Sequence, residues 1–269
     1  MKFSNGFPIA DEGSPVPAEH GRGYELRDFD AHPLYCMGKP KSETELIDPK
    51  EFKDRIAHKT EQLNWVRDIC DRQGSKVKNQ QNSSYCWIHA PVRAMEVHYA
   101  VANNRFQQPL SAFKAGADIK DGRNQGGSGI VGAQYLAKYG TCSEALHPPM
   151  DFSTRITPEQ QANSELHKIV EWGEHDTDDF LGCLHAIISD SLNNICNTVG
   201  IPAWSHEILA GTFLVWDPQQ FGWCFGGVGI GGDNSWGTTY GNMGRFLLSK
   251  NYCRLDECGA ILNATPSDS

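Results

Sequence analysis

Between residues 48 and 72, apolar side chains fall at Phe52, Ile56, Leu63, Val66 and Ile69, roughly the spacing of one helix face. Asp48 can cap this segment and Pro49 suits a first turn, so the pattern predicts a helix over 48–72. Polar "QGSKVKNQQNSS" ends it. A second helix is predicted from about Cys86 to Asn103, with Ile88, Ala94, Met95, Val97 and Ala100 among its apolar positions. Pro91 removes a backbone donor there, so the helix either starts near it or kinks at it. Further helices are predicted over 127–140, stopped by Gly140, and over 157–173 and 179–194. After residue 195 the pattern changes. "HEILAGTFLVW" (206–216), "GWCFGGVGIGG" and "GRFLLSK" are short, apolar and glycine-bounded, and they predict strands. Helices first and strands last describe an α+β chain in two segregated halves.

Composition narrows this picture. The chain has 269 residues, 39% hydrophobic and 21% charged, which suits one large domain or two lobes sharing a core. A formal net charge of −9 repels phosphate backbones and anionic lipids, so neither nucleic acid nor a membrane surface is an expected partner. Residues 1–45, rich in Pro, Gly and charge, are expected to form an irregular arm. The N-terminus has the features of no signal peptide, and no run approaches a membrane span. The nine cysteines are scattered and odd in number, which fits reduced thiols in a cytoplasmic setting.

One cysteine stands out. Cys86 sits at the junction of a polar loop and the second predicted helix, where unpaired amides and the helix dipole favour a thiolate. A nucleophilic thiol also needs a base, and the base an orienting group. "VKNQ", "SSYCW" and the distant "NSWGTTYGNMGRFLL" together resemble the papain-like cysteine peptidases, over about residues 66–250. Gln80 lies six residues before Cys86, Trp87 follows it, and Asn234-Ser235-Trp236-Gly237 makes the turn that in this family carries the orienting asparagine. "GGSGIVGAQYLAKYG" resembles the family's glycine pair and following helix, which implies Gly126 and Gly127 on the cleft rim. "GIPAWSHEILA" resembles the histidine segment, especially of phage and bacterial branches.

The resemblance implies a papain-like two-lobed fold: a helical left lobe at about 76–155, an antiparallel β-rich right lobe at about 195–262, and residues 1–65 as an N-terminal arm and helix. It implies a catalytic Cys86, His206 and Asn234, with Gln80 holding the oxyanion. Gly126, Gly127 and Trp236 are then expected to bind substrate, Trp236 also shielding the asparagine–histidine bond. Asn234 falls within the family's usual spacing after the cysteine, about 130 to 150 residues, and His206 falls short of it. The segment "WDPQQFG" reads as a hairpin tip able to absorb the extra length between them. His89 is the rival base, neighbouring Cys86 on the helix. His98, His167, His175 and His185 read as surface or core histidines of helices. The family's disulfide positions fall on Ser83 and Asn124, so that bridge is absent. Tyr85, bulky where the family has small residues, is expected to narrow the cleft or reshape specificity.

Other motifs carry less. Cys253 and Cys258 have no partner pair for zinc. "GVGIGG" precedes no helix and reads as strand and turn, and "EHDTDD" as an acidic loop capping the next helix. No cofactor or metal is expected. The expected activity is hydrolysis of peptide bonds in a peptide or protein substrate. The alternatives are a virion or other structural protein that kept the fold and docks through its arm, or an acyltransferase or isopeptidase using the same triad.

Overall fold

The computed structural model describes residues 2–11, 20–28, 31, 45–106 and 108–265. The chain opens with two strands, β1 (Lys2–Ser4) and β2 (Phe7–Ala10), and continues through α1 (Phe52–Glu61), α2 (Val66–Arg72), α3 (Cys86–Ala102), α4 (Ala112–Lys120), α5 (Gly129–Tyr139) and α6 (Pro158–Glu165). Then follow β3 (Ile169–Glu174), α7 (Phe180–Leu192), β4 (Asn197–Ile201), β5 (His206–Trp216), α8 (Pro218–Phe221), β6 (Val228–Asp233), β7 (Arg245–Leu248) and β8 (Glu257–Ala264). Among the described residues, eight strands share one sheet in the order β1-β2-β7-β6-β5-β4-β8-β3. Only the β2–β7 pair is parallel.

The long strand β5 organises the molecule. Helix α3 packs on β5 and β8, and α7 packs on β5 as well. Ten of its eleven residues are buried, which explains an apolar run without alternation. One core holds Phe52, Ile56, Ile187, Val199, Phe213 and Phe246. The other holds Tyr85, Trp87, Ile88, Met95, Phe113 and Leu136 on the helical side. The ladder to β6 shifts register between Ala210 and Phe213. Gly211 lies there with φ +83°, the left-handed backbone that a glycine bulge requires.

Several sequence expectations change. The N-terminal arm is not wholly irregular, because β1 and β2 extend the sheet beyond β7. Asn5 and Gly6, with φ of +49° and +79°, make the tight turn between them. That Asn-Gly pair is the strongest short hairpin signal and was legible in the sequence. The helix predicted over 48–72 is a short 3-10 turn plus two helices, broken where Leu63 takes φ +50°. Trp65 fixes the break, its backbone N–H on the Asp68 carboxylate and its indole on Thr60 Oγ1. The helix predicted over 157–173 ends at Glu165, and its second half becomes β3, paired antiparallel with β8. Ile169 and Trp172 are buried there by sheet pairing rather than by a helix face. Accordingly, His167 and His175 lie outside helices. Pro91 sits inside α3.

Other expectations hold. Helices α3, α5 and α7 and strand β5 lie where the pattern put them. Gly140 ends α5 and Asp179 caps α7. "GVGIGG" lies in β6, and the segment after β5 is a tight connection around α8. Cys36 lies outside the described residues.

A buried charge cluster ties α3 to the sheet. Asp233 on β6 accepts from Arg93 Nε on α3 and from Arg245 Nε on β7, each at 3.0 Å. Arg245 also grips Asp71 with both terminal nitrogens, at 2.8 and 2.9 Å. Burial pushes the Asp233 carboxyl up, and Arg245 and Arg93 outweigh it, holding it below the ordinary carboxylate value. Asp233→Asn removes the carboxylate shared by two buried guanidinium groups, although Arg245 keeps Asp71 and Arg93 keeps Glu96 and Ser75. It should lower unfolding stability by about 2–3 kcal/mol. Urea denaturation monitored by tryptophan fluorescence checks this, and a loss below about 1 kcal/mol contradicts a buried pairing.

Candidate active site

Cys86 is the first residue of α3, so its backbone N–H is one of the donors the helix leaves unpaired. His206 begins β5, and the backbone amide of Glu207, the next residue, reaches the Cys86 sulfur. Both side chains are completely buried.

The imidazole is fixed from behind. Its Nε2 lies 2.8 Å from Asn234 Oδ1. The same oxygen accepts from the Ser235 backbone N–H at 2.6 Å. A backbone N–H can only donate, so this atom of Asn234 is the oxygen, and His206 Nε2 must carry the ring proton. Nδ1 is then the basic nitrogen. It is buried with no hydrogen-bond partner. The ring lies between Trp236, with centroids 4.5 Å apart, and Trp204 at 5.2 Å. The two indoles leave little room for ring rotation and keep water from the His206–Asn234 bond.

Gln80 joins this group through a short ladder from another part of the chain. Asn79 bridges Trp236, the Gln80 N–H donates to Ser235 O at 2.6 Å, and the Gly237 N–H donates to Lys78 O at 2.9 Å. Ser235 Oγ also donates to Gln80 Oε1. That bond fixes Gln80 Nε2 as the donor, one of its N–H groups going to Ser83 O at 2.6 Å and leaving the other for the cleft.

That donor is occupied. Residues 20–24 pass through the cleft as a strap. Gln80 Nε2 donates to Gly21 O at 3.0 Å, and the Trp236 indole N–H reaches the same oxygen at 3.3 Å. His20 stacks on Trp236. The Gly127 N–H donates to Gly23 O at 2.7 Å and the Glu25 N–H to Gly127 O at 2.9 Å, a parallel bridge centred on Tyr24. The strap runs so close to the loop before α3 that a Cβ on Gly21 would strike Ser83 O, and one on Gly23 would strike Ser84 O. The glycine pair is equally crowded: a Cβ on Gly127 would lie 2.7 Å from the Trp87 ring, and one on Gly126 would lie 2.5 Å from Gly23 O.

Sealing sets the electrostatics. Burial pushes the Cys86 thiol up to about 12, although amides of Glu207, Gly23 and Trp87 favour its thiolate. Burial lowers His206 to about 3, against the opposing bond to Asn234. In this closed form the pair is therefore neutral, and no hydrogen bond joins the sulfur to Nδ1.

Of the seven residues singled out in the sequence, Cys86, Gln80, Gly126, Gly127 and Trp236 meet the strap directly, and His206 and Asn234 follow behind Trp236. His89, the rival base, is engaged elsewhere: its Nδ1 bonds Tyr85 O at 2.8 Å, and like His206 it is lowered by burial to about 3. Tyr85 does not narrow the cleft. Its ring packs among Trp87, Phe113 and Phe152, over the bare Gly116, and its hydroxyl donates to Arg123 O. Beside the positions that the resemblance assigned to a missing disulfide, Ser83 and Asn124, the Asn124 Oδ1 accepts the Ser84 N–H at 2.7 Å. Sequence reasoning missed Ser235, Trp204 and the strap. Gly21 and Gly23, two apart in a polar arm, were the available signal for an extended segment pressed against another backbone.

The chain has the α+β papain-like fold. Xylellain, a cysteine protease from Xylella fastidiosa, matches it with a TM-score of 0.60 at 14% identity, over 92% of this chain and 98% of that one. A digestive procathepsin L 3 of Tenebrio molitor matches with a TM-score of 0.53 at 18% identity, over 69% of this chain and 65% of that one, just under two thirds of its length. Among curated proteins, cathepsin B of Dictyostelium discoideum is 22% identical over 213 residues, 68% of this chain and 67% of the relative. No family profile matches the chain.

His89 and His206 are both neutral when buried, with folded values near 3 against about 6.5 when unfolded. A depressed histidine contributes stability fully present above pH 6.5 and lost as pH falls from there toward 3. Replacing His89 by Leu should therefore leave about one proton fewer taken up on unfolding in that window. The slope of stability against pH, from urea melts between pH 6.5 and 4, measures it; an unchanged slope contradicts a buried neutral His89.

Proposed function

We propose that the chain is a cysteine peptidase that hydrolyses peptide bonds through Cys86, His206 and Asn234, held closed by its own strap. The observation that carries this reading is the His206 Nε2–Asn234 Oδ1 bond of 2.8 Å, which leaves Nδ1 as a free base in the cleft headed by Cys86. A structural relic would have no need of a fixed tautomer between two indoles.

With the strap out, water and substrate enter, and the desolvation that keeps both groups neutral is relieved. The Cys86 thiol gives its proton to His206 Nδ1. Asn234 holds the resulting imidazolium in place, the role of the third group in a triad. The thiolate attacks the substrate carbonyl carbon, and the negative oxygen of the tetrahedral intermediate meets Gln80 Nε2 and the Cys86 N–H. His206 returns the proton to the leaving amine as the C–N bond breaks. Water, deprotonated by His206, then cleaves the thioester and releases the acid. Gly127, which now pairs with the strap, would pair with the substrate backbone.

The strap is an inhibitor rather than a substrate in this pose. It offers the sulfur the N–H of Gly23, while the carbonyl that occupies Gln80 belongs to Gly21. No single peptide group of the strap is set at both places, as attack requires.

A peptide-library digest read by mass spectrometry tests the reading. The full-length chain should cut slowly, and Gly23→Val, whose side chain cannot fit against Ser84 O, should cut at least tenfold faster. Cys86→Ala in the Gly23→Val chain should abolish cleavage, and Gln80→Ala should lower kcat/KM about 100-fold, roughly 3 kcal/mol. Cleavage that survives Cys86→Ala would overturn the assignment.

A further inference from the structure

The side-chain amide of Asn234 is held at one end only. Its Oδ1 serves His206 and Ser235, so the flat amide sends Nδ2 the other way. There Nδ2 is buried with no acceptor among the described residues. A buried donor left unpaired is costly. Asn234 lines a small cavity between α3 and the facing ends of β5 and β6, and the cavity's other polar walls include Lys78, His89, Arg93, Asp233 and Ser235. Each of these residues is buried.

Most of these side chains have nothing to offer an amide donor. Lys78 spends its three ammonium protons on Glu96, Glu144 and Leu110 O. Arg93 only donates, and Asp233 is taken up by Arg93 and Arg245. The Ser235 hydroxyl donates to Gln80. On β5, the Glu207 carboxyl is turned to Thr198 and Gly129. His89 differs. Its Nδ1 lies 2.8 Å from the Tyr85 carbonyl, which only accepts, so Nδ1 carries the ring proton and Nε2 keeps a lone pair. Burial and the Lys78 charge hold the ring neutral, which preserves that lone pair.

A donor and an acceptor thus line one cavity without bonding each other directly. The cavity leaves the centre of a water molecule about 10 Å³ to occupy, at the lower end of what a single buried water needs. We infer that one water is bound there, accepting from Asn234 Nδ2 and donating to His89 Nε2, and that His89 is thereby a positioning residue for Asn234. The amide is then held at both ends, and the order of bonds runs from His89 through the water and Asn234 to His206. The water site rests on the cavity and its walls; the role of His89 in a reaction rests on the peptidase reading.

Two measurements separate those dependences. A high-resolution crystal structure of the full-length chain should show a water within about 2.7–3.2 Å of both nitrogens. A cavity without that water, or Asn234 Nδ2 bonded elsewhere, overturns the inference whatever the activity. The second is peptide cleavage in the Gly23→Val chain, with urea melts confirming that each variant is folded. His89→Leu removes the acceptor, and kcat should fall about fivefold, as one lost hydrogen bond would give, with KM held within about twofold. His89→Gln, whose Oε1 can accept from the same water, should recover most of that loss. An unchanged kcat, a loss confined to KM, or equal losses in both variants overturns the positioning role. If the Gly23→Val chain cuts no peptide, the peptidase reading fails, and the water site is still decided by the crystal structure.

Discussion

Everything in the cleft depends on one oxygen. Asn234 Oδ1 accepts from the Ser235 N–H and from His206 Nε2 at once, and this double acceptance decides which ring nitrogen is basic. The donor that enforces it is a backbone group whose position is fixed by β6 and by the ladder to residues 78–80. Asp233, the residue before Asn234, is clamped by Arg93 and Arg245. Long-range packing is thereby converted into a tautomer, and a tautomer into chemistry.

On the proposed reading, the strap keeps the Cys86–His206 pair inert. Dehydration disfavours both the thiolate and the imidazolium, so covering the cleft neutralises them without moving either from its element. The strap achieves this largely with backbone: Gly21 on the Gln80 amide, and Gly23 on Gly127 and the sulfur. Side chains at Gly21 or Gly23 would collide with the loop before α3, so the close fit depends on glycine at both positions.

Much of this was legible in the sequence, for identifiable reasons. Helix α3 and strand β5 carry strong apolar patterns, and the residues around Cys86 and Asn234 form a motif whose order along the chain is informative. The helix expected over 157–173 failed because its second half contains residues such as Ile169 and Trp172, whose burial suits strand and helix equally. Only pairing with β8, which joins Ile169 to Ala264, decides it. The strap was hidden for a related reason. Its local composition is that of a loop, and its extended shape comes from Gly127, Ser205 and Gln81 across the cleft. Tyr85 misled because its type suggested bulk in the cleft, whereas the bare Gly116 gives its ring a place in the helical core.

The pH dependence of Cys86 alkylation by iodoacetamide, measured in the strap-opened Gly23→Val chain, tests the central claim most directly. If His206 and Cys86 form an ion pair once the cleft is hydrated, Cys86 reacts well below the ordinary thiol value of about 8.5. His206→Ala should return it to that value. A profile that rises only near 8.5 or above with His206 present, or one indifferent to His206→Ala, would contradict the account.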